Sequence, residues 1–374
     1  MKVGLLKETG DDPRVALLPD NVRELVKMNL TLLVQSGAGE GAFVSDNDYS
    51  DAGAEIKNYD EVVGQGDMLL RINPFSEQEM SGIDEGKVLV SLFNPLMNKA
   101  LLEYAASRNM TTFSLDSIPR ITRAQSMDVL SSMATIAGYK AIVDAAMNLP
   151  KFFPMFMTAA GTIKPAKVLV LGAGVAGLQA IATGRRLGGV LEAFDVRSEV
   201  KEEVQSLGAK FIEVEGAQEA ADAGGYAVEQ TEDYKQKQRQ LVHDHAIKSD
   251  VIITTAQIPG KKAPLLVHKE TVEQMKPGSV IVDLAASSGG NCELTENDTM
   301  VVKHQVKIIG KSDYPNDMPV DASKMFGNNL TDFLKVMFSG EGEFNLNFED
   351  NILKETCFTH EGEIVNERLK TVKK

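Results

Sequence analysis

The sequence predicts an α/β protein made of two Rossmann-like domains with parallel sheets. Three observations carry this prediction. The chain has 374 residues, long for one domain and comfortable for two. Short apolar runs of strand length alternate with helix-like stretches, the pattern of a parallel sheet covered by helices. That alternation occurs in two series, separated by one long stretch of helical spacing.

In the first series the expected strands are "KVGLL" at the start, then "TLLVQSG", "DMLLRI", "KVLVSLF" and "TTFSLD". "NVRELVKMN" and "NKALLEYAASRN" are the helical pieces between them. From Ala124 to Asn148 alanine, methionine and leucine recur at helical spacing without a proline, which predicts one long helix with Gly138 inside it. "KFFPMFMTAAGTIKPAK" follows and is expected to be an irregular connection whose aromatics and methionines serve packing. The second series begins at Lys167 with "KVLVLGAG", "VLEAFDV", "AKFIEVEG", "DVIITTA", "SVIVDLAA" and "VKIIGK". Helices are expected between them at Ser198–Leu207 and Asp233–Ile247. The acidic, glycine-containing residues 215–235 are expected to form a mobile loop. "SKMFGNNLTDFLKVMF" is expected to be a helix returning to the first domain, and "EFNLNFEDNILKETCFTHEGEIV" to form short strands. Domain one is therefore 1–130 plus 320–374, and domain two 131–319.

Composition bounds the function. Hydrophobic residues make up 43% and charged residues 25%, with a mean hydropathy of −0.13, as in ordinary globular proteins. The net charge of −14 repels phosphate backbones and anionic lipid, so no nucleic-acid partner and no direct membrane insertion are expected. No apolar run approaches the roughly 20 residues of a membrane helix, and "MKVGLLKETGDD" lacks the apolar segment of a secretory signal. The polypeptide is expected to be soluble by itself. Cys292 and Cys357 are expected to be reduced thiols.

Gly172, Gly174 and Gly177 form G-x-G-x-x-G between an apolar strand and a helix. In that context the first glycine permits a tight turn, the second lets a pyrophosphate approach, and the third lets helix and strand pack closely. The helix N-terminus offers free N–H groups and a partial positive charge. Ala173 and Val175 complete the turn. Asp195, ending the next strand, lies close to the roughly 20 residues downstream at which an acid meets the ribose 2′-hydroxyl of NAD. Val196 and Arg197 follow it. An arginine there could also suit NADP, but the acid makes NAD(H) the expected cofactor. A glycine-rich turn with no ligand is the other reading.

Hydride transfer on alcohols or amines needs a proton acceptor. None of His243, His245, His268, His304 and His360 sits in a recognisable motif. "LVHDHAIK" reads as charged helix surface, and its pair is not expected to bind metal. No metal site is expected.

"RVALLP", "SGAGEGAFVSDNDYSDAGAEI", "LGAGVAGLQA" and "MKPGSVIVDLAASSGGNCE" resemble alanine dehydrogenase. With "PRITRAQSMDVLSSMATIAGYKA" and "TTAQIPGKKAP" they resemble more closely the NAD(H)-binding domain I of proton-translocating nicotinamide nucleotide transhydrogenase, over essentially the whole chain. Where alanine dehydrogenase has a lysine, a histidine and an aspartate around its substrate, this sequence has Asn73, Asn94 and Ser287, while Arg14 survives. Asparagine and serine cannot shuttle protons near neutral pH.

The resemblance implies direct hydride transfer between NADH and NADP⁺ held on a partner component, which asks for positioned nicotinamides rather than an acid or base. It assigns Arg120, Gln125 and Asp128 to the loop beside the NAD(H) nicotinamide, with Ile121, Thr122, Ser126, Met127 and Ser131 around it and Arg123 in support. Arg120 and Asp128 are expected to orient each other and the carboxamide, with Gln125 reaching the second nucleotide. Read without the resemblance, the same residues could be a helix N-cap with a surface ion pair. "DAGGYA" resembles a loop closing over nucleotide, with Gly224 and Gly225 as hinge and Tyr226 as closing residue; an ordinary disordered loop fits it too. Thr255, Ala256 and Gln257 are expected at a strand's carboxyl end facing nucleotide, and Gln257 departs from the leucine usual in the family.

Taken together the resemblance implies an NAD-binding cleft between the two domains, a homodimer, an NADP(H)-binding component and a membrane-spanning component that couples transfer to proton movement. It implies a cytoplasmic location peripheral to the inner face of the membrane, or the matrix side if mitochondrial. The chain is either a separate subunit or an excised domain. Two other readings remain: an alanine dehydrogenase-like amino-acid oxidoreductase, and a non-catalytic NAD(H)-sensing module.

Overall fold

The structure, a computed structural model, describes residues 1–214, 232–258, 260–338 and 342–371. It divides into two compact units, Met1–Met133 with Pro315–Lys374, and Ala134–Tyr314. The first unit contains strands β1 (Lys2–Leu5), β2 (Thr31–Gln35), β3 (Glu55–Lys57), β4 (Met68–Leu70), β5 (Val88–Ser91) and β6 (Thr111–Ser114). The second contains β7 (Phe156–Thr158), β8 (Gly161–Ile163), β9 (Lys167–Leu171), β10 (Val190–Phe194), β11 (Lys210–Ile212), β12 (Val251–Thr254), β13 (Val280–Asp283), β14 (Thr299–Lys303) and β15 (Val306–Gly310). The chain then returns to the first unit for β16 (Cys357–His360) and β17 (Glu363–Ile364). No helix among the described residues is long and apolar enough to cross a membrane.

The first unit's sheet has the order β17-β16-β6-β5-β4-β1-β2-β3. The pairs from β6 to β3 are parallel; β16 and β17 join antiparallel. Successive side chains on a strand face opposite ways, and the core divides accordingly. Val3, Leu32, Val34, Met68, Leu70 and Val90 face the helices Pro19–Lys27 and Pro319–Met337. Leu33, Leu69 and Leu89 face the helices Tyr59–Gln65 and Lys99–Ser107. Burying one such leucine contributes about 1.5–3 kcal/mol. Both faces being covered, the strands read as continuous apolar runs.

The second unit's sheet has the order β11-β10-β9-β12-β13-β15-β14, parallel except for β14. Val168, Val170, Ile253 and Val282 pack against helices Val129–Asn148 and Val175–Arg186. Leu169, Leu171, Ile252 and Ile281 pack against helices Glu232–Ala246 and Lys269–Gln274. Gly138 lies where a Cβ would come within 2.1 Å of the Ala176 carbonyl oxygen. Only glycine lets these two helices approach so closely.

Three segments differ from the sequence expectation. The helix expected from Ala124 is two elements: a 3₁₀ helix, Thr122–Met127, and an α-helix, Val129–Asn148. Asp128 separates them with a ψ of 88°, and its carboxylate caps the second helix. The connection after Asn148 holds an antiparallel hairpin, β7–β8, turning at Gly161 with φ 119°. Its side chains are exposed; Phe153 is buried, but Phe152, Met155, Phe156 and Met157 are not. In the tail, Asn351–Thr356 is a helix capped by Asp350, whose carboxylate accepts from Ile352 N at 2.8 Å.

Candidate functional site

The glycine turn is built by close approach. Gly172, at φ 101°, follows β9 directly; a Cβ there would meet Thr255 Oγ1 at 2.5 Å. A Cβ on Gly177 would lie 1.9 Å from the Gly172 carbonyl oxygen, so the helix Val175–Arg186 can start only with glycine at that position. Gly174 differs: its nearest neighbour would be Arg197 Nη2 at 3.9 Å. Among the described residues nothing comes closer to Gly174, and it lies at the N-terminus of a helix whose first N–H groups lack intrahelical partners. These residues fit a dinucleotide's pyrophosphate on the chemistry of the turn itself.

Asp195 follows β10 and is buried. Its Oδ2 accepts from Ala173 N at 2.7 Å, which ties this carboxylate to the turn. Oδ1 accepts from Arg197 N and Arg197 Nε, both at 2.9 Å, and Arg197 Nη2 donates to Oδ2 at 2.8 Å. That hydrogen bonding to Asp195 raises the Arg197 pKa above its usual value. Val175 is exposed and Val196 half-buried beside them.

Thr255, Ala256 and Gln257 follow β12. Thr255 Oγ1 donates to the Gly172 carbonyl at 3.0 Å, and Gln257 Nε2 donates to the Leu284 carbonyl at 3.1 Å. Two buried residues that sequence reasoning missed hold this edge. Asn291 binds both the N–H and the carbonyl of Ala256. Asp283 accepts from Thr254 Oγ1, Ala285 N, Asn291 N, Cys292 N and Thr295 Oγ1, all within 2.7–3.0 Å. An aspartate at the end of an apolar strand, before a Gly-Gly-Asn, was the available signal. Gly224, Gly225 and Tyr226, with most of the loop expected around them, lie outside the described residues.

In the first unit, Ala124 and Met127 anchor the 3₁₀ helix Thr122–Met127 in the core. Asn329 Nδ2 donates to the Ser126 carbonyl at 2.6 Å. Arg120, Ile121, Thr122, Gln125 and Ser126 are exposed. Asp128 accepts from Ser131 N at 2.9 Å and from Ser131 Oγ at 2.6 Å. Arg123 pairs with Asp350 at 2.6 Å. A cap and an ion pair are thus present together with exposed polar groups.

Arg14, and the residues that the resemblance sets at the alanine dehydrogenase substrate site, bond to their own neighbours. Arg14 grips Asp12 with its fork, Nε to Oδ1 at 2.9 Å and Nη2 to Oδ2 at 2.6 Å. Asn73 Nδ2 donates to Asp12 Oδ2 at 2.8 Å and Glu8 Oε2 at 2.9 Å. Burial pushes the Glu8 carboxyl up to about 7, against the lowering by its backbone donors Asn73 and Ile72. Burial acts the same way on Asp12, but Arg14 and Asn73 outweigh it and hold that carboxyl below its usual range. Asn94, at φ 47°, donates its N–H to Asp116 Oδ2 at 2.7 Å. Ser287 donates its N–H to Ser312 Oγ at 3.1 Å. His243 bonds Thr271 and His245 bonds Glu192, so the pair in "HDH" serves neighbouring elements.

Comparison with known proteins matches this arrangement. Residues 4–137 match the family described as Alanine dehydrogenase/PNT, N-terminal domain, and residues 141–367 its C-terminal domain. The chain is 41% identical over 366 aligned positions to "NAD(P) transhydrogenase subunit alpha" of Haemophilus influenzae, covering 97% of this chain and 71% of that one. It is 42% identical to a solved transhydrogenase from Sinorhizobium meliloti, with a TM-score of 0.89 over 98% of this chain and 100% of that one. Alanine dehydrogenase of Mycolicibacterium smegmatis stands further off, at 26% identity over 98% of this chain and 95% of its own. The chain belongs to the alanine dehydrogenase/PNT family, and within it is closer to the transhydrogenase alpha subunits than to the alanine dehydrogenases.

Proposed function

We propose that this chain is the NAD(H)-binding component of a proton-translocating transhydrogenase. It presents NADH for direct hydride transfer to NADP⁺ held on a partner component, and a membrane-spanning component couples that transfer to proton movement. The observation that carries the reading is the glycine turn with Asp195 tied to it, in a chain whose Arg14 and Asn73 are engaged by its own Asp12 and Glu8. A nucleotide site is supported; a proton-shuttling site for an amino acid is not.

Bound NADH supplies the hydride. The chain's residues need only bind and orient, because no proton moves with the hydride at the reacting carbons. Gly172, Gly174 and Gly177 with Ala173 and Val175 receive the pyrophosphate, and Asp195 receives the adenosine ribose, flanked by Val196 and Arg197. Ala256 and Gln257 border the nucleotide; the resemblance adds Gly225 and Tyr226, which lie outside the described residues. Arg120, Gln125 and Asp128 orient the nicotinamide end, with Ile121, Thr122, Ser126, Met127 and Ser131 around them. Alignment of reacting atoms at about 3–3.5 Å is itself worth several kcal/mol of barrier.

Two copies of the chain form a homodimer, and the apolar hairpin β7–β8, with Phe156, Met157 and Ile163 exposed, supports such an association. The membrane is reached through the partner, at its inner face.

The test is to give the purified chain NADH with pyruvate and ammonium, then NADH with an NADP⁺-loaded partner component. No loss of NADH in the first and rapid loss in the second is the expected result. Steady loss with pyruvate and ammonium alone would establish an amino-acid dehydrogenase instead. Tight NADH binding with no transfer to any NADP⁺-loaded partner would leave a nucleotide sensor.

A further inference from the structure

Asp195 has no accepting capacity left among the described residues. A carboxylate offers about four lone-pair sites. Here Oδ1 accepts from Arg197 N and Nε, and Oδ2 accepts from Ala173 N and Arg197 Nη2. The two backbone donors build the turn. The other two come from one side chain, so a ribose hydroxyl can reach Asp195 only when the Arg197 guanidinium lets go.

Where that guanidinium goes is constrained. Among the described residues its Nη2 is the atom nearest to a Cβ built on Gly174, at 3.9 Å, which sets it beside the glycine turn. Side-chain exposure is 23% for Arg197 and 6% for Asp195, so the pair sits half-sheltered at the edge of the site. A guanidinium fork matches a carboxylate and a phosphate equally well in shape. Asp195 therefore holds the position on Arg197 that a 2′-phosphate would take.

We propose that Arg197 is a latent 2′-phosphate ligand occupied by Asp195, so that the pair, rather than the acid alone, sets the preference for NAD(H) over NADP(H). The proposal rests on dinucleotide binding at the glycine turn. It makes Asp195 act twice. The carboxylate repels a 2′-phosphate directly, and it withholds the cation that would bind one. A component that must keep its nucleotide distinct from that of an NADP(H)-loaded partner has use for both effects.

A double-mutant cycle tests this. The chain contains no tryptophan, so the fluorescence of the reduced nucleotide reports binding without competing protein signal. Dissociation constants for NADH and NADPH are measured for the wild type, Asp195→Asn, Arg197→Ala and the double variant. Asp195→Asn keeps an oxygen for Ala173 N and drops the charge; if it fails to fold by circular dichroism, Asp195→Ser takes its place. The expected result is at least a tenfold gain in NADPH affinity in Asp195→Asn, lost again in the double variant, while Arg197→Ala alone changes NADPH binding less than threefold. A gain that survives in the double variant overturns the proposal, because repulsion alone would then explain selectivity. No gain in a folded Asp195→Asn that still binds measurable NADH overturns it as well. A wild type that binds neither nucleotide removes the NAD(H) reading and the proposal together.

Discussion

Asn291 holds the backbone of Ala256 with both of its polar groups. Its Oδ1 accepts from Ala256 N at 3.0 Å and its Nδ2 donates to Ala256 O at 2.9 Å. The same Nδ2 donates to the Pro264 carbonyl at 2.7 Å. Asn291 is fully buried. Its own N–H is held by Asp283 Oδ2, so the strand end of β13 fixes the residues that follow β12. This chain of bonds places Ala256 at the carboxyl edge of the sheet, where nucleotides bind in open α/β folds.

Asn291→Ala should therefore act on stability and on binding together. Truncation leaves a partly buried N–H and two carbonyls without the Asn291 partner, at about 1–3 kcal/mol for each group that water cannot reach. A loss of roughly 2–4 kcal/mol in urea-unfolding free energy is expected, with NADH affinity falling at least tenfold in the protein that remains folded. Unchanged NADH affinity in a destabilised protein would show that Ala256 is not part of the nucleotide site.

The principal strands of each unit's parallel series were legible where both faces are buried, because such strands are continuous apolar runs. β3 and β14 were not: "EIK" and "TMVVK" are half-exposed edge strands with too little apolar pattern to read. The break at Asp128 was hidden because apolar periodicity continues across it. The glycine turn was legible because its spacing and its place between strand and helix are both local in sequence. Asn291 and Asp283 were not, because their partners lie up to 35 residues away in sequence.

Asp128 offers a way to separate a cap from a working group. As the helix N-cap it accepts from Ser131 N, a contact typically worth about 1 kcal/mol. Asparagine caps helices as well as aspartate does. Asp128→Asn should leave unfolding free energy within about 0.5 kcal/mol, yet lower the rate of hydride transfer in the reconstituted complex at least tenfold. Asp128→Ala should lose about 1 kcal/mol as well. Full activity in Asp128→Asn would reduce this residue to its cap.

Glu8 should give stability a pH dependence of definite sign. Its carboxyl ionises near 4.5 in the unfolded chain and near 7 when folded, because burial disfavours the charge. Below 4.5 both states hold the proton and the contribution is fully present. Between 4.5 and about 7 the unfolded chain loses its proton first, and stability falls by on the order of 3 kcal/mol. Above that the loss is complete. Urea unfolding of wild type and Glu8→Gln at pH 4.5, 6 and 7.5 should show the variant's profile flatter by about this amount. Parallel profiles would mean that the three N–H donors from Ile72 and Asn73 offset burial and keep Glu8 ionised throughout.

The glycine turn yields the sharpest contrast, since two glycines three residues apart should fail in different ways. A Cβ at Gly177 has no room: the Gly172 carbonyl oxygen would be 1.9 Å away, and that backbone is fixed by its bond to Phe194 O. Gly177→Ala must push the helix off the strand, and overpacking of this kind costs roughly 1–3 kcal/mol or more. Unfolding free energy should drop, and NADH binding should weaken because the helix N-terminus moves. Gly174 has φ −77°, and no described residue comes within 3.9 Å of an added Cβ, so Gly174→Ala meets no strain among them. Its stability should match wild type within about 0.5 kcal/mol, as for a substitution that meets no neighbour. In the proposed site the methyl group occupies the space through which a pyrophosphate would reach the backbone N–H groups. NADH affinity should therefore fall at least tenfold in Gly174→Ala with no change in Tm of the free protein. Wild-type affinity in that variant would place the nucleotide's phosphates away from this turn, and with them the role assigned to Asp195.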